Sequence, residues 1–169
     1  MLCKILSLLE PWASLVALRK KKFETRSWKT PHRGRMGIHA SAGHRPWHMN
    51  LARKEPFFSA LAVLRTLVGG KDGRCRFAIR YRLGHIIATC NLVDIYLITE
   101  TELIQINPSE GQEPKRLPLP TGDEYEFGDY TPGRYAWELQ DVVMLEKPIK
   151  AKGKLMLWEH DLGEADANV

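Results

Sequence analysis

A chain of 169 residues, 44% of them apolar, is long enough to bury one core, and we expect a single domain over residues 1–160 followed by a polar tail, 161–169. It has no apolar run near the roughly 18 residues that a membrane-spanning helix needs, and its three cysteines are widely spaced and odd in number. The composition therefore argues against a membrane protein and a disulfide framework, and a cytoplasmic protein is the expectation.

The net charge of +5 is unevenly distributed along the chain. Residues 1–65 have 13 Lys/Arg against 3 Asp/Glu, a net charge of +10, whereas residues 100–146 have 3 against 11, a net charge of −8. Lysine and arginine clusters neutralise phosphates and supply most non-specific affinity for nucleic acids. A basic run can also be an ordinary solvated surface, so composition leaves both interpretations open.

The chain begins with a predicted strand and a predicted helix. The apolar segment Lys4–Leu9 predicts a buried strand, since the proline two residues after it cannot continue a central ladder. A helix is predicted from Pro11 to Lys22, because proline suits the first turn and apolar residues recur at i, i+3 and i+4 behind it.

Two strands and a second helix are predicted next. Residues 23–28 alternate with a period of two, which places Glu24 and Arg26 on one face of a strand, and residues 35–41 have similar strand character. From Pro56 to Val68 the apolar residues recur at i, i+4, i+7 and i+11 before two glycines. This spacing predicts the second main helix.

The remaining residues are mostly strand-like around one irregular segment. Residues 84–98 predict a central strand, and residues 134–145 and 153–159 predict two later ones. Residues 99–133 are rich in proline and acidic side chains and predict an inserted loop or lid. The whole pattern predicts an α+β protein with a closed or partly closed mixed barrel of about five to six strands, flanked by two main helices.

The junction between the first helix and the second strand contains a recognisable motif. Residues 19–26 are Arg-Lys-Lys-Lys-Phe-Glu-Thr-Arg, and they match the pattern Gly-x-Lys-x-x-Glu-x-Arg at Lys21, Glu24 and Arg26. Arg19 stands in place of the glycine. With the segments Ile-His-Ala-Ser before position 42 and Tyr-Ala-Trp-Glu-Leu from position 135, the chain resembles the ASCH domain family of the PUA-like superfamily.

The resemblance implies a PUA-like barrel with a basic cleft beneath the first helix that binds RNA or a nucleotide. Lys21, Glu24 and Arg26 are then candidate ligand-binding residues, because a carboxylate orients both cations and leaves donors for a phosphate or a base edge. The alternative is a structural ion pair that closes the barrel. Trp12 and Tyr135 are candidates for stacking on a base. The candidate phosphate contacts are Arg19, Lys20, Lys22, Arg33 and Arg35.

Members of the family also include enzymes, which makes a small hydrolase the alternative function. The substrates implied are RNA or the amide of a modified pyrimidine nucleoside. Lys21 would then be a general base with a lowered pKa, Glu24 would relay protons and Arg26 would stabilise an oxyanion. A third hypothesis is that the acidic segment 100–129 folds back over the basic cleft and inhibits it.

No cofactor or metal is expected from the remaining motifs. His44 and His48 have the spacing of two ligands on one helical face, but Pro46 between them argues against that helix. The glycines near position 70 lack the order of a phosphate-binding loop, and dinucleotide-binding spacing is absent as well.

Overall fold

The computed structural model describes residues 2–43, 46–69 and 75–163 and consists mainly of β-strands. In chain order its strands and helices are β1 (Leu2–Leu8), α1 (Trp12–Ala17), β2 (Phe23–Arg26), β3 (Gly34–Ala40), α2 (Pro46–Leu51), α3 (Phe57–Ala60), β4 (Arg65–Gly69), β5 (Cys75–Ile79), β6 (His85–Ile98), β7 (Glu102–Gln105), β8 (Arg116–Pro118), α4 (Asp123–Glu126), β9 (Tyr135–Lys150) and β10 (Leu157–Asp161). Most of the predicted polar tail, residues 164–169, lies outside the described residues.

The main sheet curls around one core and is built on β6. This strand pairs antiparallel with β3, with β9 along most of its length, and with β7 at its end. β1 lies parallel to β3 and antiparallel to β10, and β2 pairs with β9. The sheet contains eight strands within the described residues, more than the five to six predicted, and its curled form is consistent with a PUA-like barrel.

The core inside the curled sheet is closed at one end by α1. Buried side chains from β1, β3, β6 and β9 form one apolar cluster, to which α1 contributes Val16. Helix α1 ends at Ala17, not near Lys22 as predicted. Arg19 has a φ of 58°, a left-handed conformation that cannot continue a right-handed helix, so Lys20, Lys21 and Lys22 belong to the connection before β2.

The prediction of a second main helix over residues 56–68 is wrong. Residues 56–68 form the short helix α3, a 3-10 turn at Ala62–Leu64 and most of β4, which pairs with β5 in a separate two-stranded sheet. The apolar spacing is helical by coincidence, because cross-strand pairing of Leu67 with Phe77 decides the local structure. None of the helices within the described residues is long and apolar enough to cross a membrane.

The acidic segment predicted as a loop or lid packs on the outer face of the barrel. It includes β7, β8 and α4, and β7 extends the sheet from the end of β6. Leu103 and Tyr130 from this segment are buried against Phe23 and Tyr96. The segment therefore covers the side of β2 and β6 opposite the barrel core.

Candidate functional site

Glu24 and Arg26 share the face of β2 that points into the barrel. In the antiparallel register Glu24 lies opposite Trp137 and Arg26 lies opposite Tyr135, and directly opposed residues project from the same side of a sheet. Trp137 is completely buried in the core. The motif therefore places its acid and its arginine at the inner wall of the barrel, on the shared face that the alternation predicts.

Lys21 is buried beside Glu24. Its side chain is 1% exposed, its Nζ lies 3.8 Å from Oε2 of Glu24, and it donates a hydrogen bond to the carbonyl of Phe23. Burial lowers the pKa of Lys21, while the carboxylates of Glu24 and Glu124 oppose that shift. The ammonium is thus enclosed by the protein's own acceptors.

Arg26 links β2 to β1 across the barrel. Its Nη2 donates a hydrogen bond of 3.1 Å to the carbonyl of Ser7, and its Nε lies 3.8 Å from Oε1 of Glu24. Its guanidinium also lies 5.7 Å from the ring centroid of Trp28. Since the described pairing of β2 is with β9 alone, this side chain provides a polar connection to a second strand.

A cavity of about 330 Å³ brings Trp12 and Glu24 together. Trp12, at the start of α1, is partly exposed and makes edge-to-face contact with Trp47, with ring centroids 6.0 Å apart. The lining also contains Arg134, Glu126 and Asp129, but neither Lys21 nor Arg26. The cavity therefore has three carboxylates to one arginine, so its lining is not the basic cleft that was predicted.

Tyr135 is separated from this cavity. It is half-buried against the apolar core of the barrel and does not line the space beside Trp12. Arg134, its neighbour in sequence, lines that space instead and is held by Thr25 and Asp129. Its Nη2 donates to the carbonyl of Thr25 at 3.3 Å, and its Nε lies 3.2 Å from Oδ2 of Asp129.

The candidate phosphate contacts are spread around the barrel. Arg19 donates from Nε to the carbonyl of Val142 at 2.9 Å, and Lys20 is exposed. Lys22 lies 3.1 Å from a carboxylate oxygen of Glu138. The side chains of Arg33 and Arg35 are partly exposed, and Arg33 binds nearby carbonyls and lies 3.8 Å from Asp94. Arg19, Lys20 and Lys22 are therefore the exposed cations of the set.

The acidic segment contacts the motif directly through α4. Glu124 accepts hydrogen bonds from the backbone N–H groups of Lys22 at 2.8 Å and Phe23 at 2.9 Å. The backbone N–H of Asp129 also donates to the hydroxyl of Thr25 at 2.9 Å. These bonds hold α4 and the turn after it against the start of β2 and the residue before it.

Glu10 is a buried carboxylate that the sequence reasoning did not select. It is 1% exposed and accepts hydrogen bonds from the backbone N–H and the hydroxyl of Ser14, at 3.0 Å and 2.8 Å. Burial raises the pKa of Glu10 to about 7. The sequence does contain a signal for this role, an acidic residue directly before the proline that begins a helix. Carboxylates at such positions commonly accept hydrogen bonds from the free N–H groups of the first helical turn.

Of the two histidines considered as metal ligands, His48 lies within the described residues. His48 is buried, with its ring centroid 3.9 Å from Trp47 and 5.3 Å from Trp12, and His44 lies outside the described residues. Across residues 2–43, 46–69 and 75–163, no three His, Cys, Asp or Glu side chains are grouped as metal ligands would be.

Known proteins with similar sequences include two relatives of the same name. Activating signal cointegrator 1 of Mus musculus is 38% identical over 89 residues, and the Homo sapiens protein of the same name is 37% identical over 92 residues. Each match covers 53% of this chain but only 14% of the relative. Residues 6–149, most of the chain, match the ASCH domain, and the protein therefore belongs to the ASCH domain family.

Proposed function

We propose that the protein binds RNA and holds one unstacked base in the cavity between Trp12 and Glu24. The observation that supports this is the pairing of a partly exposed indole with a buried carboxylate in one cavity. Aromatic rings stack on any base, and a carboxylate accepts hydrogen bonds from the amino group of a base such as cytosine. A volume of about 330 Å³ is at the lower end of the range for small-molecule sites.

The phosphates on either side of that base would lie against cations outside the cavity. The cavity lining itself is acidic and favours a base edge with donors over a phosphate. Lys20 and Lys22 are exposed in the connection that leads to β2, and Lys22 is three residues from Thr25 in the lining. Cations in these positions neutralise backbone phosphates and make the affinity depend on salt.

Fluorescence anisotropy with a short labelled single-stranded RNA tests this proposal. We expect the affinity to fall steeply between 50 and 200 mM salt. Trp12→Ala should weaken binding about tenfold, because stacking on one base contributes roughly 1 to 3 kcal/mol. Phe77→Ala, which removes an exposed ring from β5, is the matched control and should leave the affinity unchanged. Equal affinities of the two variants would refute the stacking role of Trp12.

The hydrolase alternative is favoured by one observation, the lowered pKa of Lys21. A lysine whose pKa is lowered by burial loses its proton more easily and can then serve as a general base. Its Nζ already donates to Phe23, however, and does not line the cavity. Chromatography of product formed from acylated cytidine and from a short RNA tests this function, with Lys21→Met as the variant. Turnover that persists in folded Lys21→Met would remove Lys21 from the mechanism.

A further inference from the structure

A second cavity lies between α1, the start of β4 and the second half of β9. Its volume is about 610 Å³, and it shares no lining residue with the cavity beside Trp12. Nothing in the RNA-binding proposal uses it. A concavity of this size, within the range of small-molecule sites, can hold a ligand of its own.

The wall of this second cavity is mainly apolar. Its deep part is formed by Ala17, Ile87 and Leu145, which are all buried core residues. Towards the opening, Val63 and Met144 are 74% and 52% exposed. Apolar side chains that line an open concavity favour an apolar ligand, because its binding removes both surfaces from water.

Three arginines line the same cavity. The guanidinium of Arg65 lies 4.0 Å from the ring centroid of Phe58, which holds its plane in place. Arg80 is exposed on the connection after β5, as is Arg82. Within the described part of the chain neither Arg80 nor Arg82 forms an ion pair, and the lining contains one carboxylate, Glu146.

We propose that this cavity binds a small amphipathic anion. The apolar body of the ligand lies between α1 and β9, and its carboxylate, phosphate or sulfonate group is held by Arg80 and Arg82. The net charge of the lining, three arginines against one glutamate, complements such a group, and guanidinium groups bind two oxygens of one carboxylate or phosphate in a bidentate manner. This inference does not depend on the RNA-binding proposal.

Fluorescent probes with and without an anionic group test the site. The probes are 8-anilinonaphthalene-1-sulfonate, the neutral N-phenyl-1-naphthylamine of similar shape, and cis-parinaric acid, which has an acyl body. We expect the sulfonate to bind at least tenfold more tightly than the neutral compound. Comparison of the sulfonate with the fatty acid distinguishes an aromatic body from an acyl one.

Variants divide the site into its charged and apolar parts. Replacement of Arg80 and Arg82 together by alanine should weaken the sulfonate about tenfold and leave the neutral probe unchanged. The matched control, alanine at the exposed Arg53 and Lys54, should change neither. Met144→Trp, which adds bulk at an exposed wall position, should weaken all three probes.

Two outcomes would overturn the proposal. Sulfonate affinity that is unchanged when Arg80 and Arg82 are removed would mean that the dye binds elsewhere. Displacement of the sulfonate by a short RNA would mean that the arginines belong to an RNA-binding surface and not to a separate small-ligand site. Thermal melting of each variant, followed by circular dichroism, confirms that the proteins compared are folded.

Discussion

The Nζ of Lys21 lies 3.8 Å from Oε2 of Glu24, and both side chains are buried. Glu24 also faces Arg26, which binds the carbonyl of Ser7 in β1. One carboxylate is therefore shared by two cations, of which Arg26 connects β2 to β1. Because Glu24 also lines the cavity beside Trp12, the same network fixes the geometry of the proposed base-binding site.

Lys21→Met should destabilise the fold by about 3 kcal/mol, because it removes one of the two cations that compensate the buried carboxylate of Glu24. The double variant Lys21→Met/Glu24→Gln should be more stable than the single one, since it removes both charges. Urea unfolding of the wild type and the variants, with Glu24→Gln completing a double-mutant cycle, measures this coupling. Additive effects of the two substitutions would show that the pair is not coupled.

Arg19 occupies a left-handed conformation at the place where the family motif has glycine. A left-handed residue with a Cβ costs roughly 1 kcal/mol, whereas glycine adopts this conformation freely. Arg19→Gly and Arg19→Ala both lose the hydrogen bond to Val142. The difference between their free energies of unfolding therefore measures the cost of the left-handed backbone conformation alone. We expect the glycine variant to be more stable than the alanine variant by about 1 kcal/mol. Thermal melting in the same buffer measures the difference, and an alanine variant of equal or higher stability would contradict it.

The periodicity of the sequence predicted strand structure correctly in two segments. The period-two pattern of residues 23–28 correctly placed Glu24 and Arg26 on one face, and residues 84–98 were correctly assigned as a central strand. The motif at residues 19–26 identified the family. The helical spacing of residues 56–68 failed, because apolar residues of a short helix, a turn and a strand happened to share it.

The character of the site depends on residues that lie far away in sequence. The charge of Glu124 opposes the lowering of the Lys21 pKa, and Glu126 and Asp129 contribute to the acidic lining of the Trp12 cavity. These carboxylates belong to a segment about a hundred residues away, with no periodic pattern that would reveal its position. The sequence therefore predicted the motif residues, but not the sign of the charge in the cavity beside them.

Glu124 is expected to stabilise the edge of β2. Glu124→Ala leaves the N–H groups of Lys22 and Phe23 without their carboxylate, which should cost about 1 to 3 kcal/mol in unfolding experiments. Asp123→Ala, on the same helix but without these bonds and outside the lining of the cavity beside Trp12, is the matched control. RNA affinity of the two variants tests the lid hypothesis: Glu124→Ala should bind more tightly if α4 restrains access to the site. Unchanged affinity would mean that the segment is structural.

Gly153 lies against the buried ring of His39. A Cβ at this position would be 2.6 Å from Cε1 of the ring and 3.1 Å from the hydroxyl of Ser7. The ring cannot move freely, because its nitrogens bond to Ser7 and to the carbonyl of Ala151, each at 3.1 Å. Gly153→Ala should therefore destabilise the fold by roughly 1 to 3 kcal/mol, as overpacking does. Lys152→Ala at the adjacent exposed position should have little effect, and equal melting temperatures would refute the steric argument.

Glu10 should make stability depend on pH between about 4.5 and 7. Burial raises its pKa from 4.5 to about 7, so within this window the folded protein binds more protons than the unfolded chain. The free energy of unfolding contributed by this group is therefore highest below pH 4.5 and decreases as the pH rises to 7. At about 1.4 kcal/mol per pKa unit, the total change is on the order of 3 kcal/mol.

Glu10→Gln isolates this contribution, because glutamine stays neutral and adds no pH dependence to the free energy of unfolding. Glutamine keeps one acceptor for Ser14 and loses the other, which lowers stability by a constant amount at every pH. The stability of the wild type relative to the variant should therefore decrease as the pH rises from 4.5 to 8. Other titrating groups, including the buried His39, are common to both proteins and cancel in the difference. Urea unfolding at pH 4.5, 5.5, 6.5 and 8 measures it, and a constant difference would show that Glu10 titrates normally in the folded protein.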